Sequence, residues 1–212
     1  HNDCWPAVSW SSRDYYGRWK ALPYWAEKAY RDILVSPVSQ DGKLNVHIIS
    51  DRLKASSGKL ALEVLTFEGK SVARAEMNVK VSANAANVVW SADMEKLLAG
   101  ERPENVVVAA SYTDRDGRTY TNNYMPVIPG KADLPPVNYT KKINRTADGY
   151  EITLETDSFA KAVYLSVDGD TFFSDNYFDI LPGQSVAVTA RSILSERDFA
   201  EKLSIVSLRD SY

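Results

Sequence analysis

The feature that most constrains this chain is the concentration of large aromatic side chains near its beginning. Four of its five tryptophans and four of its 12 tyrosines lie within the first 33 of 212 residues. Burying eight such rings requires a partner surface that a segment of this length cannot provide for itself. We therefore expect the chain to be part of a larger protein, with residues 1–33 packed against surfaces outside that segment.

The remaining composition predicts a folded protein that does not bind nucleic acid. A hydrophobic content of 44% is enough to build a core, and 25 basic against 28 acidic residues give a net charge of −3 with no long run of either sign. Cys4 is the only cysteine, which excludes an internal disulfide. The sequence contains no apolar run of about 18 residues and no secretion leader, so we expect no membrane span, and any export signal would lie upstream.

Hydrophobic spacing predicts one helix near the start, between Trp19 and Ile33. Apolar residues recur there at intervals of three and four, and Pro23 would sit in the first helical turn, where its missing N–H is tolerated. From Leu34 to Ile128 the pattern changes to strands separated by turns of the Asp-Gly or Glu-Gly type. The predicted strands are Leu44–Ser50, Lys59–Phe67, Ser71–Val81, Asn105–Asp114 and Arg118–Ile128, with one or two helical turns at Met94–Leu98.

A proline-rich stretch indicates the main domain boundary, because prolines interrupt sheet ladders. It contains Pro126, Pro129, Pro135 and Pro136. Beyond it, apolar and polar residues alternate as in half-buried antiparallel strands. We therefore predict a mostly β protein with three parts: a loop and helix at 1–33, an immunoglobulin-like β-sandwich at 34–130 and a C-terminal immunoglobulin-like β-sandwich at 131–212.

The search for catalytic chemistry is negative. His47 is predicted to lie in a strand with no metal partner, and Asp168-Gly169-Asp170 indicates a hairpin turn better than a calcium loop. No pair of carboxylates is singled out by position, although glycosidases need two facing each other across the sugar. We predict no catalytic residue, no metal and no cofactor in this chain.

Trp5 is the residue with the best claim to bind a ligand. Aromatic faces stack against sugar rings, and Trp5 follows Asn2 and Asp3, whose polar groups can orient a sugar hydroxyl. Packing within the protein is the alternative for this ring. For Trp10 and Trp19 packing is the favoured interpretation.

Two stretches resemble a known family. Residues 2–22, reading NDCWPAVSWSSRDYYGRWKAL, resemble the end of the catalytic barrel in β-mannosidases of glycoside hydrolase family two, and residues 173–183, reading FSDNYFDILPG, resemble the signature of that family's C-terminal immunoglobulin-like domain. The resemblance implies that residues 1–33 are the last loop and helix of a (β/α)8 barrel. It also implies that the catalytic glutamates belong to earlier barrel strands that are absent from these 212 residues.

By this resemblance, the chain would be the non-catalytic C-terminal portion of an exo-acting β-mannosidase that removes terminal β-linked mannose with retention. The substrate-binding residues would be Asn2, Asp3 and Trp5, in a loop that approaches the active site at the end of the barrel. Its partners would be the enzyme's own barrel and a mannose-containing oligosaccharide, in an exported enzyme. Alternatives are a parent of neighbouring specificity, either endo-β-mannosidase or β-galactosidase-like, and carbohydrate-binding sandwiches. The sandwiches would use Trp90, Tyr112, Tyr120 or Tyr124 as a stacking platform.

Two expectations concern packing. The loop Phe172 to Gly183 is predicted to be a structural lock, with its rings in the core and with Asp175 and Asn176 bonding backbone, since its apolar residues continue without a break into Ile180. Residues 1–33 are expected to self-associate or to lean on the first sandwich.

Overall fold

The structure is a computed structural model that describes residues 3–5, 9–167 and 171–211. Within this part of the chain the fold is mostly β, with helices α1 (Ala21–Ala29), α2 (Met94–Leu98) and α3 (Glu196–Lys202). Packing groups the chain into two compact units: residues 29–133 form one, and the described residues up to 28 join those from 134 onward in the other. The domain limits 1–33, 34–130 and 131–212 stay predictions, because this grouping follows packing and not the course of the chain.

The first unit is a β-sandwich of two sheets. Its strands are β1 (Ile33–Gln40), β2 (Lys43–Ser50), β3 (Ser56–Thr66), β4 (Ser71–Val81), β5 (Ala85–Asp93), β6 (Val106–Asp114) and β7 (Thr119–Tyr124). One sheet has the order β1-β2-β5 and the other β4-β3-β6-β7, all antiparallel. Alternate residues such as Val46 and Leu60 are fully buried, which is the period-two pattern of a sheet with one face in the core.

The β1–β2 hairpin shows how local sequence fixes a turn. Asp41 and Gly42 form its two-residue loop with φ values of 50° and 74°, the left-handed pair that a tight hairpin turn requires. β1 was not among the predicted strands, and it contains Pro37. Its position at the sheet edge explains why the proline is tolerated, since an edge residue can do without one ladder hydrogen bond. β5 was also missed.

The second sandwich contains shorter strands. They are β8 (Tyr139–Thr146), β9 (Gly149–Thr156), β10 (Ala160–Ser166), β11 (Phe172–Phe173), β12 (Phe178–Ile180), β13 (Ser185–Arg191) and β14 (Ser204–Val206). They form sheets ordered β11-β13-β9-β8 and β12-β10-β14. Helix α3, which the sequence did not predict, is capped by Ser195 and buries Phe199, whose ring stacks on Tyr150 with centroids 4.0 Å apart. The predicted turn at Asp168-Gly169 lies outside the described residues.

Helix α1 is shorter than predicted, and its partner is the second sandwich. It spans Ala21–Ala29 with Pro23 in the first turn, as expected, and Tyr24 is its one buried residue. Tyr24 packs beside Tyr177, with ring centroids 6.1 Å apart. The expectation that this segment leans on the first sandwich is therefore wrong for Tyr24. The ring that Tyr24 meets, Tyr177, belongs to the second sandwich.

Candidate sugar-binding loop

The loop that precedes α1 is folded and not an open tail. Arg13 and Trp19 form an isolated antiparallel bridge, and the turn between them closes where the Gly17 N–H donates to the Asp14 carbonyl at 3.0 Å. The Lys20 N–H donates to the Ser12 carbonyl at 3.1 Å, directly before α1 begins. Backbone hydrogen bonds thus order the loop up to the start of the helix. We refer to the described residues between 3 and 20 as the N-terminal loop.

Asp3 is the polar centre of the N-terminal loop. Lys20 Nζ donates to its Oδ2 at 2.7 Å, Ser11 Oγ lies 2.6 Å from its Oδ1, and the Ser9 hydroxyl also donates to Oδ1. These hydrogen bonds, Lys20's first, lower the pKa of Asp3 to about 2. The Asp3 N–H donates to the Arg13 carbonyl at 3.0 Å. Asp3, only 6% exposed, is therefore a charged residue that holds the loop together.

The aromatic rings of the N-terminal loop are mostly open to solvent. Trp5 is 76% exposed and Trp10 fully exposed, whereas Trp19 is half-buried. Asn2 lies outside the described residues. Of the three predicted substrate-binding residues, the structure therefore describes Asp3, which is buried, and Trp5, whose ring is exposed. Their role in binding sugar stays a prediction.

The alternative stacking platform does not exist as an exposed surface. Tyr112 is completely buried and Tyr120 is 8% exposed. Trp90 and Tyr124 are partly buried and pack against the core of the first sandwich. All four rings contribute to packing in the first sandwich.

Tyr120 instead belongs to a partly buried polar cluster. Its hydroxyl donates to Asp32 at 3.1 Å and accepts from Arg52 at 2.7 Å, while Arg52 also bridges to Asp114 at 2.8 Å. The hydrogen bond from Arg52 is the main cause that lowers the pKa of Asp114. The cluster pairs every charge it contains, which is the arrangement of a structural clasp.

Sequence reasoning missed the residues that hold Asp3 in place, namely Ser9, Ser11 and Lys20. Lys20 is 17 positions away, so no local spacing signal could identify it. Among the described residues, no group of three or more His, Cys, Asp or Glu side chains is arranged to hold a metal ion. In the same part of the chain, no helix combines the length and apolarity needed to cross a membrane.

Comparisons with known proteins agree with this architecture. Residues 42–129 match a family described as a Mannosidase Ig/CBM-like domain. Residues 134–211 match a mannosidase family described as an Ig-fold domain. Among curated proteins, β-mannosidase A of Aspergillus terreus is 28% identical over 86% of this chain and 21% of its own length. The mouse β-mannosidase is 27% identical over 100% of this chain and 25% of its own length.

Solved structures give the same fold. The β-D-mannosidase of Dictyoglomus thermophilum superposes with a TM-score of 0.82 at 24% identity, over 98% of this chain and 25% of that one. The exo-chitosanase CsxA of Amycolatopsis orientalis superposes with a TM-score of 0.61 at 19% identity, over 97% of this chain and 29% of that one. The chain is therefore a relative of the β-mannosidases that matches their C-terminal region. It spans about a quarter of the length of the curated relatives it matches.

Proposed function

We propose that this chain forms the C-terminal part of an exo-acting β-mannosidase that releases terminal β-linked mannose from oligosaccharides with retention. The observation that carries the proposal is the match to β-mannosidases along nearly the whole chain, through both sandwiches and the segment before them. Retention requires two carboxyl groups about 5 Å apart that face the glycosidic bond. We place that pair in the part of the enzyme outside these 212 residues.

The contribution of this chain to the reaction is substrate binding through the N-terminal loop. Trp5 offers an exposed ring on which a sugar can stack. Asp3, whose carboxylate is held by Ser9, Ser11 and Lys20, is the second residue of this proposal. Asn2 is the third residue of this proposal.

The partner of the exposed rings is the enzyme's own catalytic barrel. Trp10, Tyr16 and Leu22 present apolar surface at exposures of 101%, 66% and 57%, and such surface normally marks an interface. The relatives contain about three quarters of their length beyond the matched region, which is enough chain to cover it. We also propose that the enzyme is exported, by a signal upstream of this chain.

The deciding experiment measures the complete enzyme on a panel of aryl glycosides, including β-mannoside, β-galactoside and β-glucosaminide. We expect hydrolysis of the β-mannoside, with the β-anomer of mannose appearing first in the NMR spectrum and single mannose units leaving manno-oligosaccharides. The 212-residue chain alone is the control and should not exceed background. A preference for another sugar, an α-anomer as first product, or internal cleavage would each contradict the corresponding part of the proposal.

A second experiment tests the exposed ring of Trp5. In the complete enzyme, Trp5→Ala should raise KM about tenfold, or about 1.4 kcal/mol, with kcat little changed, because stacking binds ground state and transition state alike. Trp5→Phe retains a ring and is the matched control. Equal KM values for all three proteins would remove Trp5 from the binding site.

The family description of residues 42–129 as Ig/CBM-like favours one alternative, a sandwich that binds carbohydrate by itself. Titrating manno-oligosaccharides against the chain separates the two functions. A saturable signal that survives Trp5→Ala would favour the sandwich, and no saturable signal is expected if the sandwiches are scaffolds.

A further inference from the structure

We propose that residues 172–179 of the second sandwich form a positioning site that fixes the N-terminal loop, and with it Asp3 and Trp5. We call these residues the seat. The inference rests on the proposed function for the purpose of the loop, since a binding loop has to be held in one geometry before the sugar arrives. The structural part of the inference does not depend on that function. It states that side chains more than 150 positions away keep the N-terminal loop ordered.

The first set of contacts joins rings of the two segments. Trp19, the last aromatic residue of the N-terminal loop, meets Phe172 of the seat edge-on, with centroids 5.2 Å apart and planes at 90°. Tyr24 of α1 lies 5.3 Å from Trp19 and 6.1 Å from Tyr177. Edge-on and tilted pairs of this kind are favourable beyond their buried area. The rings of the seat therefore pack against both the N-terminal loop and the helix that follows it.

The second set of contacts is ionic. Lys28, in the last turn of α1, pairs with Asp175 of the seat at 2.9 Å. Lys161 pairs with Asp179 at the same distance, and both lysine ammonium groups lie within 5.5 Å of the Trp25 ring centroid. Cations near a tryptophan ring add attraction where solvent is partly excluded. One ion pair thus joins the helix to the seat, and the lysine of the other lies beside the Trp25 ring of the helix.

The backbone of the seat is itself held in an uncommon conformation. Tyr177 has φ of 56°, in the left-handed region that bulky residues rarely adopt. The preceding residue, Asn176, is 3% exposed and uses its side-chain amide to accept from the Leu165 N–H at 2.7 Å and donate to the Leu165 carbonyl at 2.9 Å. Strained residues persist where their surroundings over-determine them and often mark a function. In this conformation the centroid of the Tyr177 ring lies 4.9 Å from that of Tyr164 and 6.1 Å from that of Tyr24.

The link from the seat to Asp3 is short. Trp19 is followed by Lys20, whose backbone N–H bonds Ser12 and whose ammonium bonds Asp3. A shift of Trp19 away from Phe172 would therefore displace the residue that orients Asp3. We infer that Phe172 and Tyr177 are positioning residues, in contrast to the neighbouring Phe178, whose ring lies in the sandwich core.

Amide hydrogen exchange in the 212-residue chain tests the inference. Phe172→Leu and Tyr177→Gly should each speed exchange at the Asp3 and Lys20 N–H groups about tenfold, because the loop opens more often when its seat is weakened. Tyr177→Phe keeps the ring and should restore protection. A spin label on Cys4, the single cysteine, gives a second readout and should become more mobile in the same two variants.

Phe199→Leu is the matched control, since it weakens the core of the same sandwich at the Tyr150 stack. The inference is supported if the two seat variants loosen the loop and the control does not. Unchanged exchange and label mobility in the seat variants, or equal loosening in the control, would overturn it. Failure of the proposed function would appear elsewhere, in the glycoside panel, so the two results can be told apart.

Discussion

Two loops of this protein have nearly the same chemistry and opposite surroundings. The N-terminal loop and residues 172–183 both mix large rings with aspartate and asparagine or serine. In the first, Trp10 is fully exposed, whereas in the second Phe178 is 4% exposed and lies in the core. Aromatic content alone therefore does not decide whether a segment is buried.

Strand pairing accounts for the difference. Phe173 pairs with Ala190 and Phe178 with Val163, so both rings are placed on the inner face of a sheet. The N-terminal loop has one isolated bridge and no strand, and its rings have no sheet face to turn inwards. The first loop leaves Trp5 and Trp10 exposed, and the second buries Phe173 and Phe178 within its own sheets.

The largest expected effect on stability comes from removing a buried ring from residues 172–183. Phe178→Ala should lower the free energy of unfolding by about 3 to 5 kcal/mol, because it removes a ring from a packed core. Chemical denaturation measures the change. A loss below about 1 kcal/mol would show that the ring is not structural, contrary to the lock described above.

The next largest effect on stability is predicted for Asn176, whose side-chain amide pairs with both backbone groups of Leu165. Asn176→Ala should lower the free energy of unfolding by about 2 to 3 kcal/mol, because the Leu165 N–H and carbonyl lose their partner in a buried place. Asn138→Ala is the matched control, since Asn138 is exposed and its amide bonds Asp157 at the surface. Similar losses in the two variants would mean that the buried position of Asn176 does not matter.

Order in the N-terminal loop should depend on pH. The Asp3 pKa is lowered in the folded chain to about 2 from 3.8, so its contribution to stability is complete above pH 3.8 and is lost as the pH falls towards 2. An NMR titration of the Asp3 carboxyl group measures this directly. Lys20→Met should raise its pKa, since it removes the strongest hydrogen bond. A titration near 3.8 in the unchanged protein would contradict the network.

The smallest stability effect is expected for the exposed rings. Trp5→Ala and Trp10→Ala should each change the free energy of unfolding by less than about 0.5 kcal/mol, since their rings contact mainly solvent. The double variant should nevertheless scatter less light if the chain self-associates through this surface. A melting point that falls by several degrees would show that these rings are packed.

Several elements could be read from the sequence because their signals are local. The Asp41-Gly42 hairpin needed only its turn residues, and β4 at Ser71–Val81 has the predicted bounds. Helix α2 at Met94–Leu98 also formed where expected, with Asp93 accepting from the Lys96 N–H as its cap. Strand β1 was missed because its periodic signal is interrupted by a proline. Strand β5 was missed because its apolar run is short. Their ladders with β2 supply the missing stabilisation.

The candidate site likewise has some features that local sequence sets and others that only the tertiary fold sets. The sequence by itself determined that a tryptophan next to acidic and amide groups lies in an aromatic-rich loop before a helix, since these features are set by neighbouring residues. Only the tertiary structure decided that Lys20 and two serines satisfy Asp3, and that α1 packs on the second sandwich through Tyr24. Those contacts join residues 17 and about 150 positions apart, and hydrophobic periodicity reports which face of an element is apolar but not which distant surface will cover it.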